Sequence, residues 1–181
     1  MGTVGGQMHA RLCGAAASLL TAMAALGMAG CSEQAASLPA ASVVNCSQDV
    51  SACKPGDIGA GGGTVFLVFG DVTQRVVVEY ARAGWSGARE DPRLDWRAAA
   101  LAASGYSDAD AQSWRLPSQD ELTELYAFWK RSGNGGFSPA LYWSATPWGD
   151  GSAWYVSFED GSGYHSFNEA TNLVRPVLSY S

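Results

Sequence analysis

The spacing of apolar residues changes twice along the chain, and this order restricts the possible fold more than any other feature. Residues 64–69 and 75–80 are apolar runs of strand length joined by Gly70-Asp71, which predicts a β-hairpin. Helical spacing follows, and short strand-like runs then return at residues 142–145, 154–158, 164–167 and 173–178. This order predicts an α+β domain in which two helices pack on antiparallel sheets.

Two helices are predicted in the middle of the chain. The first ends near Gly105, and one face carries Trp96, Ala99, Ala100 and Ala103. The second begins at Ser118, which forms a capping box with Glu121. Its apolar side chains recur at helical spacing, namely Leu122, Leu125, Tyr126 and Trp129. The glycines from Gly133 onward are expected to end it.

In the last third of the chain, side chains alternate in the pattern that is typical of β-strands. Trp154, Val156 and Phe158 alternate with Tyr155, which predicts that the first three point inward and Tyr155 outward. Residues 146–152 are rich in Pro, Gly and Asp and are predicted to form a loop that carries Trp148. Pro176 interrupts the run at residues 173–178, which indicates an edge strand or a bulge.

The first thirty residues have the parts of a secretory signal. His9 and Arg11 precede an apolar run that is too short and too alanine-rich for a membrane-spanning helix of about 20 strongly apolar residues. The segment Met28-Ala29-Gly30-Cys31 resembles the lipobox of bacterial lipoproteins. That resemblance implies cleavage before Cys31 and lipid attachment to its thiol. The alternative is an ordinary signal peptide with cleavage nearby.

The predicted organisation has three parts. Residues 1–30 are the signal, residues 31–53 an Ala/Ser-rich tether, and residues 54–181 the globular domain. Several acyl chains would hold the protein firmly on a membrane. The lipoprotein resemblance also implies that Ser32 permits transport to the outer membrane of a Gram-negative cell. We therefore expect an exported protein on the periplasmic face or on the cell surface.

The net charge restricts the classes of partner, and the cysteine content predicts a disulfide. Removal of Arg11 with the signal leaves 10 basic and 17 acidic side chains, a net charge of −7. An acidic chain without basic runs is a poor candidate for binding nucleic acid.

Once Cys13 is removed and Cys31 lipidated, Cys46 and Cys53 remain, and in an oxidising compartment they are expected to form a disulfide. This short loop is expected to lie beside the core and to contribute little to it.

Several motifs in order resemble a known family. They are Gly56 to Phe66 with its Gly59–Gly63 stretch, Trp114-Arg115-Leu116-Pro117, Tyr142-Trp143-Ser144-Ala145, Trp154 to Phe158, and Val174-Arg175-Pro176-Val177. Together they resemble the C-terminal domain of the bacterial collagen-like adhesin Lcl. This resemblance implies a C-type-lectin-like fold, with Trp114, Arg115, Leu116, Pro117, Trp143, Trp154 and Arg175 as its structural signature. No collagen-like repeat is present, so the adhesin's trimer is not implied.

Two signature motifs allow both a binding and a structural interpretation. The Gly59–Gly63 stretch precedes a strand and lacks the Gly-Lys-Ser/Thr ending of a phosphate loop, so backbone freedom at a tight turn is the favoured interpretation. Arg115 could face an anionic ligand, but pairing with a nearby carboxylate is favoured. Trp114 and Leu116 are then core residues, and Pro117 directs the chain into the helix.

Metal-dependent and catalytic functions have little support in the sequence. The acceptor triplets of calcium-dependent lectins are missing, and only Asp150, Glu159 and Asp160 offer weak calcium candidates, so no cofactor is expected. His165 is the only histidine after the signal and is predicted to be exposed on a strand. Nothing marks a nucleophile, and an enzyme is the third choice.

The favoured function is therefore non-enzymatic binding at the cell envelope. The ligand is a glycan or an envelope or host protein, and the site is predicted on the loops that carry Trp148, Asp150, Asp160 and Tyr164. The adhesin is similar to glycosaminoglycan binders, which need basic residues, so that ligand is not expected for this acidic chain. The alternative is a structural or assembly subunit of an envelope complex.

Overall fold

The structure is a computed structural model that describes residue 46 and residues 49–71, 73–107 and 113–181. Its elements follow in the order β1 Thr64–Phe69, β2 Val76–Tyr80, β3 Arg93–Leu94, α1 Trp96–Gly105, α2 Gln119–Ser132, β4 Leu141–Gly149, β5 Ser152–Ser157, β6 Gly163–Phe167, β7 Asn172–Leu173 and β8 Val177–Tyr180. This order confirms the predicted α+β class. No helix within these ranges is long and apolar enough to cross a membrane.

The strands form two sheets. One has the order β1-β2-β8, and the other has the order β3-β7-β4-β5-β6. The predicted hairpin is confirmed, since β1 and β2 pair antiparallel with Thr64 opposite Tyr80. The prediction of purely antiparallel sheets is wrong at one place, because β4 runs parallel to β7 where Tyr142 meets Leu173.

The last predicted strand is two strands in different sheets. Leu173 lies in the five-stranded sheet, and Val177 begins the last strand of the three-stranded sheet. Pro176 lies between them and has no N–H to donate to a ladder. Its carbonyl accepts a hydrogen bond from Ala81 N–H at 2.9 Å, which holds the crossing segment against the chain after β2.

Helix α1 ends at Gly105 and helix α2 begins after Ser118, as the sequence predicts. The side chain of Asp95 accepts a hydrogen bond from Ala98 N–H at the start of α1, and the Ser118–Glu121 capping box is present at the start of α2. Gly133 ends α2 in the left-handed conformation, with φ of 69°. Ala99 and Ala103 are buried on α1, whereas Ala100 is exposed, so the predicted apolar face is narrower than expected.

Two of the four apolar clusters in the described part of the chain pack under the helices. The larger lies under α2 and is rich in aromatic rings, with Phe66, Tyr80, Leu122, Leu125, Phe128, Phe137, Tyr142, Val156 and Phe158 among its members. The smaller lies under α1, where small alanines leave room for Trp143, together with Leu116, Ala153 and Val174. Large rings opposite small residues let the two layers approach closely.

The predicted disulfide between Cys46 and Cys53 is confirmed. Its placement in a tether beside the core is wrong, because both cysteines are fully buried against Val65 and Val77. Cys46 N–H donates to the Ile58 carbonyl at 3.2 Å, which fastens the loop to the chain before β1. The packed part of the chain therefore begins before residue 54.

Candidate functional site

A tight hairpin places Trp148 on a strand. β4 continues to Gly149, and β5 begins at Ser152, so only Asp150-Gly151 connects them. Both connecting residues have positive φ, 47° for Asp150 and 73° for Gly151, as a two-residue hairpin turn that follows the strand twist requires. The predicted loop at residues 146–152 is therefore wrong, and Trp148 is held by the sheet.

Four rings share one side of the five-stranded sheet: Trp148, Trp154, His165 and Phe167, which we call the aromatic face. Trp148 stacks on His165 with centroids 4.4 Å apart and planes 11° from parallel. Trp154 meets both of them edge-on, with its centroid 4.9 Å from that of Trp148. Phe167 follows two residues after His165 on β6 and so lies on the same side. Trp148 is 54% and Phe167 69% exposed.

Tyr164 lies on the opposite side of the sheet. Its ring is 5.9 Å from that of Tyr155, which in turn packs edge-on against buried Trp143 at 6.0 Å. Tyr164 and Trp148 therefore lie on opposite sides of the sheet, whereas the sequence analysis placed them in one binding site. Tyr155 was predicted to point outward, but it packs on the smaller core cluster. Trp154, predicted inward, is only partly buried.

The candidate calcium ligands Asp150 and Asp160 also do not meet. Asp150 lies at the turn before β5 and Asp160 at the turn after it, so the strand separates them by about 20 Å. Asp160 Oδ1 accepts a hydrogen bond from Ser162 N–H at 3.0 Å, and this bond is the main reason why the pKa of Asp160 is lowered. Among residues with described positions, no three His, Cys, Asp or Glu side chains are grouped as a metal site.

Polar side chains lie beside the aromatic face at the start of α2, and we call Gln119 and Thr146 its polar border. Gln119 Nε2 is 3.0 Å and the Trp154 ring 3.8 Å from the position that a Cβ on Gly163 would occupy. Thr146 Oγ1 accepts a hydrogen bond from Gln119 N–H at 2.9 Å, which ties the start of α2 to β4. The absence of a side chain at Gly163 thus leaves the carboxamide of Gln119 next to the rings.

Arg115 serves the fold, as the favoured interpretation predicted. Its Nη1 and Nη2 atoms each donate to Glu121 at 2.7 Å. Burial alone would raise the pKa of Glu121, but hydrogen bonds from Arg115 and Ser118 outweigh burial and lower it. The hydrogen bond to Glu121 raises the pKa of Arg115. The pair fixes the start of α2.

The other members of the Trp114-Arg115-Leu116-Pro117 motif are buried. Trp114 is 2% and Leu116 3% exposed, which confirms their predicted core positions. The carbonyl of Pro117 accepts a hydrogen bond from Ala145 N–H at 2.7 Å. Trp143 is fully buried, and its Nε1 donates to the Leu94 carbonyl at 2.8 Å. These signature residues position the sheet and are not available to a ligand.

Arg175 forms a buried ion pair with Asp91, a residue that sequence reasoning missed. The side chains are 1% and 3% exposed, and Arg175 Nη2 lies 2.8 Å from Asp91 Oδ2. Arg175 Nη1 also donates to the carbonyls of Ala81 and Gly135. Tyr142 donates its hydroxyl proton to Asp91, and burial raises the pKa of that tyrosine. One guanidinium thus joins three separate segments.

The Gly59–Gly63 stretch wraps around a carboxylate of the protein itself. Gly61 N–H and Gly63 N–H donate to Glu79 at 2.6 and 2.8 Å, and Glu79 is fully buried on β2. A Cβ on Gly59 or Gly63 would overlap Glu79 or the Tyr80 carbonyl. The favoured structural interpretation is supported, because these amides already bind a carboxyl group within the fold.

Sequence reasoning left His165, Phe167 and Gln119 out of the predicted site. The Asp150-Gly151 dipeptide between alternating runs was the available signal for the hairpin, and the alternation in residues 163–167 would then have placed His165 and Phe167 together. Gln119 had no local signal, because its position depends on how α2 packs on the sheet. Cys31 lies outside the described residues.

The comparisons with known proteins identify the domain. The family model of the Lcl C-terminal domain matches residues 78–178, from the middle of β2 to β8, which is more than half of the chain. No curated protein matches. The matched range includes the Trp114 motif, β4 with Trp143, the aromatic face and Arg175. The chain belongs to the Lcl C-terminal domain family.

Proposed function

We propose that this chain is an envelope-anchored, non-enzymatic binding protein that recognises a glycan on the aromatic face. The observation that carries the proposal is the exposure of Trp148, which is 54% accessible although it is held on a strand by its neighbours. Exposed rings that adjoin one another, as Trp148 and His165 do, form the kind of patch that is typical of a contact surface.

The chemistry of the face suits a sugar. Aromatic rings offer apolar area for the C–H groups of a pyranose, and neighbouring polar groups can bind its hydroxyls. Gln119 at the border can donate and accept hydrogen bonds, as can the exposed imidazole of His165. His165 covers one side of the Trp148 ring, so the ligand would contact the part of the Trp148 ring that remains exposed. The net charge of −6 for the whole chain disfavours a polyanionic glycan.

The family and the N-terminal sequence support the cellular setting of the proposal. Membership of the Lcl C-terminal domain family suggests an adhesin-like role and a C-type-lectin-like arrangement of helices and sheets. The lipobox-like segment ending at Cys31 suggests a lipid anchor, with the outer membrane as the destination. The proposed assembly is a glycan-binding domain held at the membrane by its N-terminus.

The test measures glycan binding by the full chain carrying Cys31→Ala, which removes the proposed anchor. On a glycan array, we expect this protein to bind a defined set of neutral sugars. Adding Trp148→Ala should weaken that binding about tenfold or more, because an aromatic contact residue commonly contributes about 2 kcal/mol. The melting temperature should remain nearly unchanged, since the ring is largely outside the core.

Phe69→Ala is the matched control, because Phe69 is also an exposed aromatic residue but lies at the end of β1 in the other sheet. It should leave glycan binding unaffected. Equal affinity of the Trp148→Ala variant and its parent would remove the aromatic face as the site. Binding to an envelope protein, with no glycan bound, would favour the assembly role instead.

A further inference from the structure

β6 is an edge strand whose side chains are largely exposed. It pairs with β5 on one side and lies last in the order of the five-stranded sheet. Its five residues, Gly-Tyr-His-Ser-Phe, include no proline, Lys, Arg, Asp or Glu. Natural edge strands commonly carry such residues, which prevent pairing with another chain. β6 therefore has the properties of a strand that can accept a neighbour.

The other long edges in the described part of the chain are partly occupied. On β1, Val65 N–H donates to the Asp57 carbonyl at 3.0 Å. On β8, Val177 exchanges two hydrogen bonds with Arg115 at 2.8 and 3.0 Å. β3 has only two residues. This leaves β6 as the edge best suited to pairing.

The hydrogen bonds at both ends of the hairpin show which β6 backbone groups face outward. Ser157 N–H donates to the Ser162 carbonyl, and Asn168 N–H donates to the Gly151 carbonyl. In an antiparallel ladder, hydrogen-bonded pairs alternate with non-bonded pairs. With this register, Tyr164 and Ser166 direct their N–H and C=O groups toward β5. The remaining three residues, Gly163, His165 and Phe167, direct theirs to the free edge.

We propose that β6 pairs with β6 of a second copy of this chain, antiparallel and centred on His165. The three outward-facing residues are symmetric about His165, as a two-fold axis requires. His165 would pair with His165 of the second copy, and Gly163 with Phe167 of the second copy. This register satisfies all six outward backbone groups of each strand and joins the two five-stranded sheets into one.

The side chains fit the same register. Residues directly opposite in an antiparallel pair lie on the same side of the sheet. Phe167, 69% exposed, would therefore lie beside Gly163 of the second copy, where the Gln119 carboxamide and the Trp154 ring border the missing side chain. An aromatic ring opposite an edge glycine is a known stabilising combination. The aromatic faces of the two copies would become one continuous surface.

The expected dimer is weak. A five-residue strand pair buries less area than the roughly 1,200–2,000 Å² of stable interfaces. The register also brings Glu159 and Asp160 of one copy toward Glu169 of the other, and all three residues are exposed. Their repulsion should decrease as salt screens it, so the dissociation constant should fall as ionic strength rises.

Sedimentation equilibrium tests the proposal on the full chain carrying Cys31→Ala. We expect a concentration-dependent dimer. Phe167→Pro removes an outward N–H that the β5 ladder does not use, and it should raise the dissociation constant about tenfold or more. Phe69→Ala, an exposed aromatic change on the other sheet, should have no effect. A monomer up to about 1 mM, or a dimer unaffected by Phe167→Pro, would overturn the proposal.

Amide hydrogen exchange followed by NMR tests the register without any change in β6. The N–H groups of Gly163, His165 and Phe167 should exchange fast at low concentration and become protected as the protein is concentrated. Those of Tyr164 and Ser166 should be protected throughout, because β5 binds them. Fast exchange at the three outward positions in concentrated protein refutes the strand pairing. This result does not depend on glycan binding, so the two proposals fail separately.

Discussion

At the scale of single residues, Arg175 holds separate segments of the fold together from a buried position, although arginine is usually exposed. Its guanidinium faces Asp91, two backbone carbonyls and the Phe137 ring, with the central carbon 4.2 Å from the ring centroid. A planar group with five N–H donors can satisfy several acceptors in one plane. The family resemblance marked Arg175 as structural, but its partner Asp91 is 84 positions away in sequence.

We predict that Arg175→Leu lowers the free energy of unfolding by about 3–5 kcal/mol, because it leaves the Asp91 carboxylate buried without a counter-charge. Urea denaturation measures the change. Adding Asp91→Asn should recover a large part of the loss, because the amide carries no charge. In the parent, Trp85 Nε1 donates to Asp91 at 3.1 Å, and the amide oxygen of the substituted side chain can still accept this hydrogen bond. A loss below about 1 kcal/mol in the single variant would contradict a buried, structural ion pair.

At the scale of secondary-structure elements, local signals define the helices better than the strands. Ser118 and Glu121 lie three residues apart, so the start of α2 could be predicted and is confirmed. β4 was predicted to end at Ala145, but it extends to Gly149. Its outer half is irregular, with register shifts around Pro147, and it persists because β5 pairs with it. A strand of this kind depends on its partner, which local sequence does not contain.

We predict that Glu121→Gln destabilises the protein by about 1 kcal/mol at neutral pH, through loss of the charge-assisted bonds to Arg115. The pKa of Glu121 is lowered in the folded state from 4.5. Its stabilising contribution is therefore present above that pH and is lost as the pH falls through the lower folded-state value. The stability difference between parent and variant should disappear in acid.

Urea titrations at several pH values measure this effect. The matched control is Glu124→Gln, because Glu124 is exposed on the same helix. It should change stability little at any pH. A Glu121→Gln effect that stays constant down to strongly acidic pH would show that the carboxylate charge is not what stabilises the start of α2.

At the scale of the whole molecule, long-range contacts join the two ends of the domain. Strand β8 pairs with β2 and places the C-terminus beside the first hairpin. The Cys46–Cys53 loop packs on that hairpin, and Arg75 Nη2 donates to the Cys53 carbonyl at 2.6 Å. The loop therefore belongs to the same cooperative unit as the sheet, so its loss should affect unfolding of the domain.

We predict that the double variant Cys46→Ala/Cys53→Ala loses about 2–3 kcal/mol of unfolding free energy, the value expected for closing a loop of this length. Guanidinium denaturation compares it with the oxidised parent. The parent in dithiothreitol should show a similar loss, which controls for the removed sulfur atoms. An unchanged midpoint in both would indicate that the loop contributes little despite its burial.

We also predict that Cys31→Ala releases the full chain from membranes into the soluble fraction, because the lipid is attached to that thiol in the proposed lipoprotein. Fractionation of expressing cells, with intact mass of the purified protein, measures this. The Cys46→Ala/Cys53→Ala variant is the control and should stay on the membrane. Persistent membrane association of Cys31→Ala, with no lipid mass on the parent, would contradict the anchor.

Local patterns were sufficient for the α+β class, the first hairpin, the end of α1, the start of α2 and the buried positions of Trp114 and Leu116. Each of these depends on periodicity or on groups a few residues apart. The grouping of Trp148, Asp150, Asp160 and Tyr164 could not be predicted in the same way. It depends on which strands pair and in what register, and a shift of one residue moves a side chain to the other face. Pairing of β4, β5 and β6 therefore decided that Trp148 lies with His165 and that Tyr164 lies across the sheet.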